Sequence, residues 1–279
     1  MRRRAVQEEE GARGSWFLPE RFLQGLKTVA LGRNLVFRGR AGSTNDLARA
    51  LAERGAPEGT LVLAEVQTRG RGRLGRRWRS PRGGLWFSLV LRPGVAPTLL
   101  SGLSLVVACA VARALREETG APVQVRWPND LVLQDRKLGG ILVEVGTGWA
   151  VVGVGINVNV PLVKLPREVR ETATSLLETL GHPVDPEALL QRVLVELEGS
   201  YETYRKGEPS HQEWRALSSL LGRRVKIVLP EETFEGEAMD IDPDGALVVR
   251  TGRELRRVLA GEVKVVRDVG GERHGGPRD

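Results

Sequence analysis

Gln67-Thr68-Arg69-Gly70-Arg71-Gly72-Arg73-Leu74-Gly75-Arg76-Arg77-Trp78 is the stretch around which the rest of the chain falls into place. It follows the apolar, β-branched run Thr60–Gln67. It precedes Leu85, Phe87, Leu89 and Leu91, which alternate with Trp86, Ser88, Val90 and Arg92 at the period of a strand. With no apolar period of its own, it must be a loop between two strands. Its glycines permit a left-handed backbone and close approach, and successive N–H groups in such turns form an anion-binding nest. Its arginines carry forked donors that match carboxylate and phosphate. No Gly-Lys-Ser/Thr follows, so it is not a Walker loop. Like charges with nothing apolar to bury predict a loop mobile when empty and ordered when occupied. The plain alternative is a solvated arginine–glycine tract that binds nucleic acid.

The charge balance favours a local anion site. The 279-residue chain has 42 Lys+Arg against 35 Asp+Glu, a net charge of +7. Residues 69–82 hold seven arginines and no acid, and without them the two signs are equal. The basicity therefore belongs to one segment, not to a surface that coats polyanions. With 41% hydrophobic and 28% charged residues the composition is that of a globular protein. One cysteine, Cys109, excludes a disulfide framework and a cysteine-rich zinc site. His182, His211 and His274 lack metal-ligand spacing. There is no apolar run of membrane or signal length, so a cytoplasmic setting without membrane attachment is expected.

Outward from the loop, Ser43-Thr44-Asn45-Asp46 has helix-start chemistry, and Leu47, Ala48, Leu51 and Ala52 follow at helical spacing up to Gly55. Thr98–Thr119 reads as a long helix stopped by Gly120, and Pro186–Tyr204 as another. Val123–Trp127, Leu131–Leu133, Gly140–Val145 and Ala150–Val158 read as strands, with turns at 134–136 and 146–148. After about Ser219 come Arg224–Leu229, Thr233–Ile241, Ala246–Arg250, Glu254–Ala260 and Glu262–Val266. Such short, regular runs predict a small closed β-barrel. The expected division is a frayed, partly disordered extension over 1–30, a catalytic domain over 31–218, a barrel over 219–268 and a disordered tail over 269–279.

Three further segments bear chemistry. In Arg126-Trp127-Pro128-Asn129-Asp130, an Asn and an Asp sit at a strand's end, which suits a site and a plain turn equally. In Arg136-Lys137-Leu138-Gly139-Gly140, Lys137 reads as a turn lysine beside a diglycine that admits a ligand to the backbone. In Gly153-Val154-Gly155-Ile156-Asn157, no helix follows the glycines, so a dinucleotide fingerprint is disfavoured. The glycines instead mark a strand passing close to a ligand, with Asn157 placed to meet a base edge.

Taken in order, Ser43-Thr44-Asn45, the Gly70–Trp78 loop, Trp127–Asp130, Arg136–Ile141 and Gly153–Asn157 resemble the biotin protein ligase family. The resemblance runs from about Leu31 to the end. It implies an α+β fold: a mixed β-sheet flanked by helices, then a small barrel of the Src-homology-3 type. It implies ATP-dependent biotinylation: biotin's carboxylate attacks the α-phosphate of ATP, and a lysine of a biotin carboxyl carrier domain then attacks the biotinyl-5′-adenylate. Under the resemblance Ser43, Thr44, Asn45, Gln67, Arg71, Gly72, Arg73 and Lys137 line the biotin side. Arg73, Arg76, Trp78, Asn129, Lys137 and Asn157 lie toward ATP and the adenylate. Lys137, Arg73 and Asp130 form the catalytic set, and Mg2+ accompanies ATP, with Asp130 either touching the metal or orienting Lys137. Two positions depart from the family pattern: Arg126 stands where Lys is common, and Leu74 where a further Arg is often found. The short stretch before Ser43 predicts no winged helix-turn-helix and no specific DNA binding. A homodimer through an exposed edge strand is compatible with the family. A lipoate–protein ligase or related acyltransferase is the nearest alternative.

Overall fold

The structure, a computed structural model, describes residues 16–95, 100, 102–208 and 211–266. Seven strands form the main sheet: β1 (Leu35–Ala41), β2 (Leu61–Gln67), β3 (Leu85–Leu91), β4 (Gln124–Arg126), β5 (Asp130–Leu133), β6 (Arg136–Gly146) and β7 (Trp149–Ile156). Their order is β1-β2-β3-β7-β6-β5-β4, with β1 and β2 parallel and every other pair antiparallel. The sheet is thus mixed.

Period-two alternation divides its faces. Leu85, Phe87, Leu89, Val152, Val154 and Ile156 point into the main core. There α3 (Leu103–Thr119) and α6 (Pro186–Arg205) pack. α3 has eleven buried residues and ends at Gly120, whose φ of 69° caps the helix. α6 opens on Pro186, with Asp185 accepting from the N–H groups of Glu187 and Ala188. On the other face α2 (Thr44–Glu53) covers Val62, Val90 and Val151, through Ala48 and Ala52. Further along that face the first turn of α2 lies over Ser88 and Gly153 through Thr44 and Asn45, and beyond it, toward Gly155, a trough opens.

The other helices are short: α1 (Pro19–Gly25), α4 (Arg167–Arg170), α5 (Leu176–Leu180) and α7 (His211–Leu217). β8 (Arg224–Val228), β9 (Thr233–Ile241), β10 (Leu247–Thr251), β11 (Glu254–Val258) and β12 (Glu262–Val265) make a second, antiparallel sheet in the order β11-β10-β9-β8-β12. Its buried side chains, among them Val225, Ile227 and Val249, join the same apolar cluster as Trp127 and Val125 of the main sheet.

Several expectations change. Residues 16–30 are not a frayed extension: Phe17, Phe22 and Leu26 are buried against α6 and the sheet. β1 was not anticipated, because Arg38-Gly39-Arg40 breaks its alternation at an exposed sheet edge. Lys137 is not in a turn; β6 begins at Arg136, and the tight positive-φ turn is confined to Gln134-Asp135. The long helix begins at Leu103, with Thr98 outside the described residues. The small sheet keeps all five expected strands, every pair antiparallel, in the expected Src-homology-3-like arrangement; among the described residues no ladder joins β11 to β12. The tail over 269–279 lies outside the described residues.

Candidate active site

A single trough of about 340 Å³ opens on the α2 face of the main sheet. All thirteen residues singled out in the sequence line it: Ser43, Thr44, Asn45, Gln67, Arg71, Gly72, Arg73, Arg76, Trp78, Asn129, Asp130, Lys137 and Asn157. Its floor is bare backbone. A Cβ on Gly153 would lie 2.0 Å from Asn45 Oδ1, and one on Gly155 would lie 2.7 Å from Trp78 Nε1. The two glycines thus seat two side chains, one for each end of the trough, about 7 Å apart along β7.

At the Gly153 end the polar groups are satisfied by one another. Gln67 Oε1 accepts from Thr44 N–H at 2.8 Å, and Gln67 Nε2 donates to Ser80 Oγ at 2.8 Å. Asn45 Nδ2 donates to Glu144 Oε2 at 2.7 Å, and Ser88 Oγ donates to Asn45 Oδ1 at 2.6 Å. Arg71 is held by both Asp46 oxygens at 2.6 and 2.7 Å and by Glu144 at 3.2 Å. The hydrogen bond it donates to Asp46 strengthens its protonation. With a carboxylate on each side of Arg71, this end is polar without an excess of positive charge.

The Gly155 end is cationic. Lys137 Nζ lies 2.6 Å from Asp130 Oδ1 and 5.3 Å from the centroid of the Trp78 ring, a cation–π distance. Its backbone is fixed on both sides: Lys137 N–H donates to Thr172 O, and Thr174 N–H donates to Lys137 O, each at 2.8 Å. Trp78 packs edge-on against Trp86, and its buried Nε1 has no hydrogen-bond partner. Arg73 makes no ion pair within 4 Å among the described residues, and burial lowers its pKa. Arg126 is likewise lowered by burial; it reaches Asp135, which it shares with Arg223.

The loop turns back on itself. Gly72 N–H donates to Arg76 O at 2.7 Å and Trp78 N–H to Gly70 O at 2.9 Å, around a short 3-10 turn at Arg73–Gly75. Arg76 is tied to Glu262 of β12. The arginines are therefore not equivalent: Arg71 braces the neutral end, Arg76 anchors the loop, and Arg73 is left facing the cavity.

Two asparagines serve as clasps. Asn129 brackets Ile141, accepting from its N–H at 2.9 Å and donating to its carbonyl at 2.5 Å. Asn157 Nδ2 donates to Thr174 O at 3.0 Å, so its amide ties β7 to the segment that fixes Lys137. Ser88, Glu144, Asp46 and Glu262 were not singled out beforehand. A polar Ser88 in an otherwise apolar strand, opposite Gly153, was the available signal.

The glycine floor gives a direct test. Gly153→Ala forces Asn45 out of its seat and should cost roughly 1–3 kcal/mol, the scale of overpacking. For Gly140→Ala the nearest atom to the new Cβ is Lys137 Cε at 3.6 Å, so this variant should melt like the parent. Chemical denaturation of the pair measures the difference.

A mixed sheet with a glycine-floored trough, a lysine–carboxylate pair and an arginine loop makes a site suited to anionic ligands. Residues 39–160 match the Biotin/lipoate A/B protein ligase family, and residues 220–266 match the Biotin protein ligase C terminal domain. The chain is 33% identical over 249 residues to the bifunctional ligase/repressor BirA of Bacillus subtilis, covering 86% of this chain and 77% of that protein. It is 36% identical over 239 residues to the biotin--[acetyl-CoA-carboxylase] ligase of Mycobacterium tuberculosis, covering 83% and 88%. The biotin protein ligase from Aquifex aeolicus in complex with biotin and ATP superposes with a TM-score of 0.75 at 33% identity, covering 84% of this chain and 99% of that one. The chain belongs to the biotin protein ligase family.

Proposed function

We propose that this chain joins biotin to a lysine of a biotin carboxyl carrier domain, by way of biotinyl-5′-adenylate. The observation that carries this reading is the charge division of the trough. Biotin has a neutral ureido ring at one end and a carboxylate at the other. The Thr44–Asn45–Gln67 end offers hydrogen bonds without net charge, which suits the ring. Arg73 and Lys137 supply donors where carboxylate and α-phosphate must meet despite mutual repulsion. In this role Lys137, held by Asp130 and Trp78, directs its ammonium at the oxygens that gain charge as the carboxylate displaces pyrophosphate. The carrier amine then attacks the acyl carbon and AMP leaves.

The residues present are a poor fit for a resident metal. Among the described residues no group of three His, Cys, Asp or Glu could hold one, and Asp130 is committed to Lys137. We therefore take Mg2+ as part of the nucleotide substrate and Asp130 as the residue that orients Lys137. The catalytic unit is taken as residues 31–218 with the packed segment 16–30, and the C-terminal unit as 219–268, of which residues 219–266 are described. Homodimerisation would use the edge strand β1, since β4 is already paired at Val125 with Ser218 and Ser219.

The test is incubation with biotin, MgATP and a carrier domain, followed by avidin blotting. Labelling of one carrier lysine supports the reading; labelling with lipoate in place of biotin would overturn it. The loop arginines lie in and around the trough, and no helix-turn-helix occurs among the described residues. Specific duplex binding is therefore not expected, and a biotin-dependent gel shift at physiological salt would contradict this.

A further inference from the structure

Glu144 sits behind the neutral end of the trough and is not in its lining. It lies on the site face of β6, in register with Val151, with its neighbour on that face, Leu142, paired to Gly153. It accepts from Asn45 Nδ2 at 2.7 Å and from Arg71 at 3.2 Å. An ionised carboxylate only accepts hydrogen bonds, so it fixes which way the Asn45 amide faces. Asn45 Oδ1 must then point at Ser88, and Ser88 Oγ, 2.6 Å away and fully buried, gives it its single proton. Ser88 Oγ is also 2.8 Å from Thr44 Oγ1. With the serine proton already spent, the Thr44 proton has two acceptors in reach, Ser88 Oγ at 2.8 Å and Gln67 Oε1 at 3.1 Å, and the shorter contact draws it toward Ser88. Thr44 Oγ1 then presents lone pairs to the trough.

We propose that Glu144 is a positioning residue that sets the hydrogen-bond polarity of the biotin pocket. Through Asn45 and Ser88 it makes Thr44 Oγ1 an acceptor, the partner a ureido N–H requires, while also bracing Arg71. The relay rests on the reading of the ligand as biotin. A ligand with an acceptor at that position, such as an ester or ether oxygen in place of the ureido N–H, would meet lone pairs and be refused.

The experiment is a double-mutant cycle in the full chain, read by biotin-dependent ATP–pyrophosphate exchange. Glu144→Met keeps the length and removes the acceptor. It should raise the KM for biotin about tenfold, one lost hydrogen bond's worth of binding, and leave the KM for ATP within about twofold. Glu144→Gln, which keeps one acceptor oxygen, should fall between it and the parent. Thr44→Val should cost about tenfold in the parent and at most about threefold in the Glu144→Met background. Additive losses would overturn the relay, as would an unchanged biotin KM. A fall in thermal stability with both KM values rising together would make Glu144 a packing residue and overturn it equally. Should Glu144→Met fail to fold, Ser88→Ala cuts the same chain one step on and must reproduce the biotin-selective effect. A parent without biotin-dependent exchange would sink the functional reading itself; a parent that exchanges, with variants equal to it, sinks the relay alone.

Discussion

Replacing Lys137 with methionine is expected to slow adenylate formation by about a hundredfold or more, the scale for losing a preorganised charge stabiliser. Both reactants of that step are anions, and Lys137 is the cation that Asp130 and Trp78 hold in place. The fold should survive. Both hydrogen bonds of Lys137 to the 172–174 segment are made by its backbone, and Asp130 keeps the fields of Arg73 and Arg126. Pyrophosphate exchange and a thermal melt, run together, check both halves. Normal exchange in the variant would remove Lys137 from the mechanism.

The second large effect is expected at Arg73. It makes no ion pair within 4 Å among the described residues, and it lines both the trough and a neighbouring cleft of about 310 Å³. Arg73→Gly removes the donor facing the ligand and loosens the start of the 3-10 turn. The variant should still form the adenylate but release it faster, on the order of tenfold or more for a lost charged hydrogen bond. Escaped adenylate acylates bystander lysines, so self-labelling should rise in step with the dissociation rate. In the parent, bound adenylate should protect the chain from proteolysis after Arg71 and Arg73, because it offsets the loop's charge and ordering entropy. A variant that holds the adenylate as tightly as the parent and labels only the carrier would refute this role of Arg73.

The site was legible because its chemistry is local. Glycine–arginine alternation between two strands can be recognised without knowing what packs around it, and Trp127–Asp130 is a hairpin turn on its own terms. The partners of those residues were not legible, because they are set by strand register. Glu144 reads as a lone charged position in the strand Gly140–Val145 until β6 is paired with β7 and α2 is laid across them. The division among the loop arginines was hidden for the same reason: their carboxylates come from α2, β6 and β12, each far away in sequence. Lys137 reads as a turn residue because it falls between the 134–136 turn and a strand read as starting at Gly140. Gly139 is a glycine because a Cβ there would sit 2.6 Å from Gly155 O across the sheet. The buried N-terminal aromatics were missed for want of periodicity, since Phe17 precedes and Phe22 lies within a helix of only seven residues.

The hydrogen bond from Trp127 Nε1 to Gly245 O, at 3.0 Å, runs from the site hairpin into the small sheet. Nearby Arg76 meets Glu262, Arg223 meets Asp135, and Trp127 shares one apolar cluster with Val225 and Ile227. The small sheet is therefore a poor candidate for cut-and-paste evolution. A graft from a distant relative would have to match a tryptophan, two ion pairs and a packed apolar seam at once. The two sheets are bound to change sequence in concert, and chimaeras joined near residue 219 should fail more often than chimaeras joined within a surface loop of either sheet.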